Sequence, residues 1–165
     1  MQPSPNKANA SRYITPEGRT HLSEEVSYLW KVKRPQVTQA VAEAAAMGDR
    51  SENAEYIYGK KQLRQIDSRL RFLTKRLSEL VVVDRTPDDA SKVFFGAWVE
   101  LEGPRGDLFR YRIVGPDEFD LEKGFISIDS PMARALLHKT AGDEVLVSRP
   151  TGTDAFVVTS VGYQT

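Results

Sequence analysis

The sequence predicts an α+β protein: an N-terminal antiparallel α-helical coiled-coil hairpin, then a small antiparallel sheet domain with one short helix. Three observations carry this prediction. Gly59, Leu63, Ile66, Leu70, Leu73, Leu77 and Leu80 recur at alternating spacings of four and three, a heptad seam. An earlier apolar stripe ends only a few residues before that seam begins, which favours antiparallel packing within one chain. After Asp84 the pattern changes to short β-branched and aromatic runs punctuated by Gly, Pro and Asp.

Residues 1–12 are rich in Pro, Ser, Asn and Ala and read as a disordered tail. The hairpin is expected over 13–84. Thr15 is a good N-cap and Pro16 suits the first helical position. Leu22, Val26 and Leu29 then form the apolar stripe, with Trp30 beside it, and Val37, Val41, Ala44 and Met47 continue it. Pro35 removes a hydrogen bond and crowds the preceding turn, so a kink or brief break is expected near 33–35. Ala42, Ala44, Ala45 and Ala46 let the helices approach closely near the tip. No Pro interrupts Asn53 to Val83, a helix of about 45 Å at ~1.5 Å per residue. A parallel homodimer would have to satisfy both seams between chains, so a monomer is expected.

A linker is expected over 85–90 and a globular domain over 91–165. Its strands are predicted at Val93–Glu102, Leu108–Val114, Phe125–Asp129, Glu144–Ser148 and Ala155–Val161. Ser130 and Pro131 read as N-cap and first-turn Pro of a short helix through Met132 to Leu137.

Composition excludes several function classes. No apolar run approaches the ~20 residues of a membrane span. No apolar segment near Met1 resembles a secretory signal, and cysteine is absent, so a cytoplasmic location is expected, with no membrane partner, disulfide or thiolate metal site. His21 and His138 stand alone, and no Gly-rich phosphate loop or catalytic constellation is present.

The net charge of zero hides an asymmetry. Residues 1–85 carry 15 Lys/Arg against 10 Asp/Glu, and residues 86–165 carry 8 against 13. Lys60, Lys61, Arg64, Arg69, Arg71, Lys75 and Arg76 face only Asp67 between 60 and 76. One reading is a solvated helix face. The other is a polyanion lying along the hairpin, with contacts to phosphates and no interleaved aromatic rings for base stacking.

The tip, Gly48-Asp49-Arg50-Ser51-Glu52-Asn53-Ala54-Glu55-Tyr56, places three carboxylates at the turn. Asp49 as N-cap with Glu52 three residues on would make a capping box, and acids at a helix start also suit its dipole. Mg²⁺ takes about six oxygen ligands, so Asp49 and Glu52 alone would hold it only loosely. They could instead complete a site half-built by another protein and supply metal-ion catalysis in trans.

The same tip resembles the signature of the bacterial Gre transcript-cleavage factors. Tyr28-Leu29-Trp30 with Arg34-Pro35, and Lys60 through Asp67 continuing to Arg71–Arg76, resemble that family too. So do Val93–Glu100 and Ile126–Leu137 in the second domain, and the likeness, closest to the GreB branch, spans about 12–165.

This resemblance implies an FKBP-like globular domain that docks at the rim of the RNA polymerase secondary channel while the hairpin inserts. The partners implied are bacterial RNA polymerase and the nascent RNA 3′ end. The chain would not be an enzyme itself but would stimulate polymerase to cleave backtracked RNA. It implies a Mg²⁺ ion shared with the polymerase active site, none being bound tightly by the chain alone. Asp49 and Glu52 would carry the metal and water role. Lys60, Lys61, Arg64, Arg69, Arg71, Lys75 and Arg76 would steer RNA. Ser51, Asn53 and Tyr56 would contact polymerase or shape the turn. Two alternatives stay open. One is a channel-binding regulator that does not promote cleavage. The other is a peptidyl-prolyl isomerase using Phe94, Phe95, Trp98 and Phe109.

Overall fold

The computed structural model describes residues 10–48 and 52–163. By internal contacts they divide into Arg19–Leu80, and the residues through Gly18 together with those from Val81 onward.

The first of these is the hairpin. Thr15 caps helix α1 (Pro16–Tyr28), its hydroxyl accepting from the Gly18 N–H at 3.1 Å. A π-helical turn at Leu29–Lys33 follows, and α2 (Arg34–Ala46) continues from it. The expected break is therefore a bulge. Its cause is arithmetic as well as chemical. Leu29 and Val37 are eight residues apart, one more than a heptad, so an unbroken α-helix would swing Val37 off the seam. The π turn absorbs the extra residue: the Arg34 N–H donates to the Leu29 carbonyl, five residues back. The wider turn also accommodates Pro35, which has no N–H to give. Val37 and Ala44 are buried as a result.

Helix α3 (Ala54–Glu79) carries the predicted seam. Gly59, Ile66, Leu70 and Leu73 are buried on it. Val37, Ile66 and Leu70 form the hairpin core, flanked by Val26, Leu29, Val41 and Leu63. The helices approach closely at Gly59, where a Cβ would sit 2.6 Å from Val41 Cγ2. Two expectations are corrected. Met47 is 79% exposed rather than in the seam, because α2 ends at Ala46. Helix α3 stops at Glu79 rather than reaching Val83; Leu80 is extended, and Val81–Val82 form a strand, β2. At ~1.5 Å per residue the 26-residue helix is about 39 Å long.

In the second unit, β1 (Tyr13–Ile14) pairs in parallel with β2. The main sheet holds β3 (Trp98–Glu102), β4 (Leu108–Val114), β5 (Phe125–Ser127), β6 (Glu144–Arg149) and β7 (Gly152–Gly162), in the order β5-β4-β3-β7-β6. All neighbours are antiparallel except β4 and β5, and β3 and β7 shift register between Glu100 and Leu101. Alternation along β3 buries Val99 and Leu101 and exposes Glu100 and Glu102. Helix α4 (Pro131–Leu136) is capped by Ser130, whose hydroxyl accepts from the Ala133 N–H, and it adds Ala133 and Leu136 to the core. Beside a short 3₁₀ turn (Pro116–Glu118), the Glu118 carboxylate accepts from the N–H and hydroxyl of Thr15 and from the Gly115 N–H. Gly115 has no room for a side chain, because a Cβ would strike the Tyr13 carbonyl oxygen.

Tyr163 ties the last strand to the start of the sheet unit. Its hydroxyl accepts from the Phe94 N–H at 2.8 Å and donates to the Lys92 carbonyl at 2.5 Å. Desolvation raises its pKa above the ordinary tyrosine value. Tyr163→Phe removes both bonds and leaves the Phe94 N–H without its acceptor. The substitution is expected to lower the unfolding free energy of the chain by about 1–3 kcal/mol, read by urea titration.

Candidate functional site

Seven residues, 47–53, join α2 to α3. The N-cap of α3 is Asn53: its side-chain oxygen accepts from the Tyr56 N–H at 3.1 Å. Its amide nitrogen reaches back to donate to the Ala44 carbonyl at 2.7 Å. One side chain thus starts α3 and adds a second donor to a carbonyl at the end of α2 that already accepts from the Met47 N–H at 3.2 Å. This overturns the capping box expected at Asp49 and Glu52. Glu52 lies one residue before the cap and is exposed. Its carboxylate has no capping duty in this helix. Asp49 and Ser51 lie outside the described residues. Tyr56 is half-buried in the first turn of α3.

Exposed apolar side chains collect around this end, a feature that the seam pattern did not disclose. Met47, Ile57 and Tyr58 (67% exposed) flank the turn. Among the described residues, no three acidic, imidazole or thiol groups gather as a metal site.

The structure sorts the seven cations of α3 into two sets. Arg69 makes a two-pronged ion pair with Glu25 on α1, at 3.1 and 3.0 Å, and its guanidinium stands 5.7 Å from the Phe72 ring centre. Arg76, one heptad on, shares that flank and is half-buried. Lys60, Lys61, Arg64, Arg71 and Lys75 are exposed. At ~100° per residue these five fall on one face, turned away from the seam. The outward stripe is therefore these five, and Arg69 works first as a strut of the hairpin.

A second strut crosses the opposite flank. The Arg34 side chain donates to the two Asp67 oxygens at 2.8 and 3.5 Å. The Arg34 hydrogen bond holds the Asp67 carboxyl below the usual aspartate range, against an opposing effect of desolvation and with lesser help from the charges of Arg34 and Arg71. The same partner raises the Arg34 guanidinium. Because the folded Asp67 value is the lower one, its stabilising contribution is complete above the ordinary aspartate pKa. It is lost as pH falls through the depressed folded value. Asp67→Asn is thus expected to flatten the acid limb of hairpin unfolding, followed by helical circular dichroism. The effect is small, because both groups are well exposed.

The four rings considered for an isomerase pocket have separate neighbours. Phe94 packs on His138, Phe95 on Tyr13, Trp98 on Phe125, and Phe109 on Tyr111 and Phe156. His21 is exposed on α1. His138 sits just past α4 in the left-handed conformation, at φ 71°.

A cation-faced helical hairpin with an exposed carboxylate at its turn, joined to a small five-stranded sheet unit, defines a class of two-part factor. Both parts match family models. The one described as "Transcription elongation factor, N-terminal" covers residues 12–82, and "Transcription elongation factor, GreA/GreB, C-term" covers residues 87–163. The chain belongs to the GreA/GreB family of transcription elongation factors.

Within that family it is similar to transcription elongation factor GreB of Haemophilus ducreyi, 58% identical over 155 residues that cover 94% of this chain and 96% of the relative. It is equally similar to GreB of Pseudomonas aeruginosa, 58% identical over 159 residues covering 96% and 95%. Among solved structures, GreA factor homolog 1 (Gfh1) of Thermus thermophilus is 24% identical with a TM-score of 0.41, covering 90% of this chain and 97% of that one. Among the described residues, no helix is long and apolar enough to cross a membrane.

Proposed function

We propose that this chain enters the secondary channel of bacterial RNA polymerase and stimulates endonucleolytic cleavage of backtracked nascent RNA, rescuing arrested complexes. The observation that carries this reading is Glu52. It is an exposed acid at the turn, freed from helix capping by Asn53, whose own bonds fasten the turn to both helices. A carboxylate placed there stabilises nothing by burial, but it is well placed to be offered to another molecule.

A lone carboxylate is a hard oxygen donor that fits Mg²⁺ only as one ligand among several, so most of the coordination shell would come from the polymerase. Glu52, with Asp49, would complete the shell of an ion shared in the complex. Bound there, Mg²⁺ would lower the pKa of a water and so supply the nucleophile for RNA hydrolysis. The chain's own part is to present the carboxylates at a fixed point, and its reaction depends on polymerase. Lys60, Lys61, Arg64, Arg71 and Lys75 would steer the extruded RNA along the hairpin.

The test is cleavage of a stalled, backtracked polymerase complex with and without the chain across a range of Mg²⁺ concentrations. Faster cleavage and a lower Mg²⁺ requirement are expected. Rates that the chain leaves unchanged would reject the reading. Slowed extension without cleavage would instead favour the channel-blocking regulator.

A further inference from the structure

Trp30 is 60% exposed, yet it is held in place. The Arg34 guanidinium stands 5.6 Å from its ring centre, and Arg34 is itself anchored by Asp67 on the opposite helix. The ring forms one wall of a shallow groove of about 380 Å³ on the outside of α2, with Pro35, Thr38 and Gln39 along it. Because Arg34 bridges to Asp67, this groove opens on the flank of the hairpin that carries Asp67. On α3, Arg64 lies three residues before Asp67 and Arg71 four after it, which places both beside it on the same helix face. Lys60 lies one heptad before Asp67 and extends the row. An aromatic ring with a guanidinium beside it and a row of cations therefore share one side of the hairpin. The sequence concealed this, since the ring and the cations sit on different helices.

We infer that Trp30 is a stacking platform for a base of single-stranded RNA whose phosphates lie on Lys60, Arg64 and Arg71. The chemistry matches how unpaired bases are held: an indole face, a guanidinium plane, and hydroxyl and amide groups at the edge of the groove. A protein partner is the weaker fit, because a row of like charges suits a regularly charged strand better than a mixed protein surface. The site rests on the proposed cleavage function only in that RNA is what passes the hairpin.

The test uses the full chain with Trp98→Phe, which leaves Trp30 as the sole tryptophan. A single-stranded oligouridylate is expected to quench its fluorescence saturably, and a duplex of equal length far less. Lys60→Ala, Arg64→Ala and Arg71→Ala together are expected to weaken binding and flatten its salt dependence. In the chain with Trp98 intact, Trp30→Ala is expected to weaken oligouridylate binding, read by anisotropy, about 5- to 150-fold. Absent or non-saturable quenching, or equal affinity in Trp30→Ala, overturns the inference. RNA binding that needs Trp30 in a chain unable to speed cleavage would remove the cleavage reading and leave the stacking site standing. Cleavage stimulation indifferent to Trp30, with no quenching, would do the reverse.

Discussion

Glu52→Ala, alone or with Asp49→Ala, is expected to cost on the order of 10- to 100-fold in stimulated RNA cleavage while leaving polymerase binding intact. Glu52 is exposed and precedes the cap, so its loss removes no bond that the hairpin needs. Helical circular dichroism should be unchanged. Glu52→Gln keeps the size and removes the charge, and it should behave like the alanine variant if a metal ion is what the carboxylate meets. Full cleavage activity in the double variant would dismiss a role for the tip acids. A loss of polymerase affinity equal to the loss of cleavage would make Glu52 a docking contact instead.

Asn53→Ala should act differently. It removes the N-cap of α3 and a donor to the Ala44 carbonyl in one step. Cap loss alone costs about 0.5–2 kcal/mol, and the bond that ties the turn back to α2 is lost with it, although the Ala44 carbonyl keeps the Met47 N–H as a donor. The hairpin should melt earlier, and cleavage should fall although both acids remain, because the turn that presents them is no longer fastened. Asn53→Asp separates the two duties. Aspartate still accepts from the Tyr56 N–H but cannot donate to Ala44, so it should recover the cap and not the cross-turn bond. If Asn53→Ala melts at the wild-type temperature, the turn is held by something other than this side chain.

Much of the hairpin was legible from spacing. The buried positions of α3 are seam positions, and the Thr15 and Ser130 caps act as their residue types predict. Leu108–Val114 was bounded correctly because a run of β-branched and aromatic residues ends at a Gly-Pro pair. The rest is long-range or depends on competition. Two residues at 13–14 carry too little pattern to reveal a strand, and their partners at 81–82 look like the end of a heptad helix. The parallel pairing of β4 and β5 follows from chain direction, which alternation does not encode. At the tip, Asp49, Ser51 and Asn53 are all cap-forming residue types, so type alone does not single out Asn53, which caps α3 and also bonds back to Ala44. Arg69 looked like one more surface cation because its acid partner lies 44 positions away. Trp30 looked like a flanking core residue because a helix with an extra residue turns its faces away from where strict periodicity would put them.

That extra residue has a practical corollary for anyone building chimeras. The stretch from Leu29 to Val37 acts as an indexing device: the same eight steps wound as plain α-helix would rotate everything downstream by about 80°, whereas removing one residue would restore heptad spacing and keep the register. A transplanted arm that kept all nine residues but lost the wide turn would still look helical by spectroscopy, yet it would aim its business end sideways.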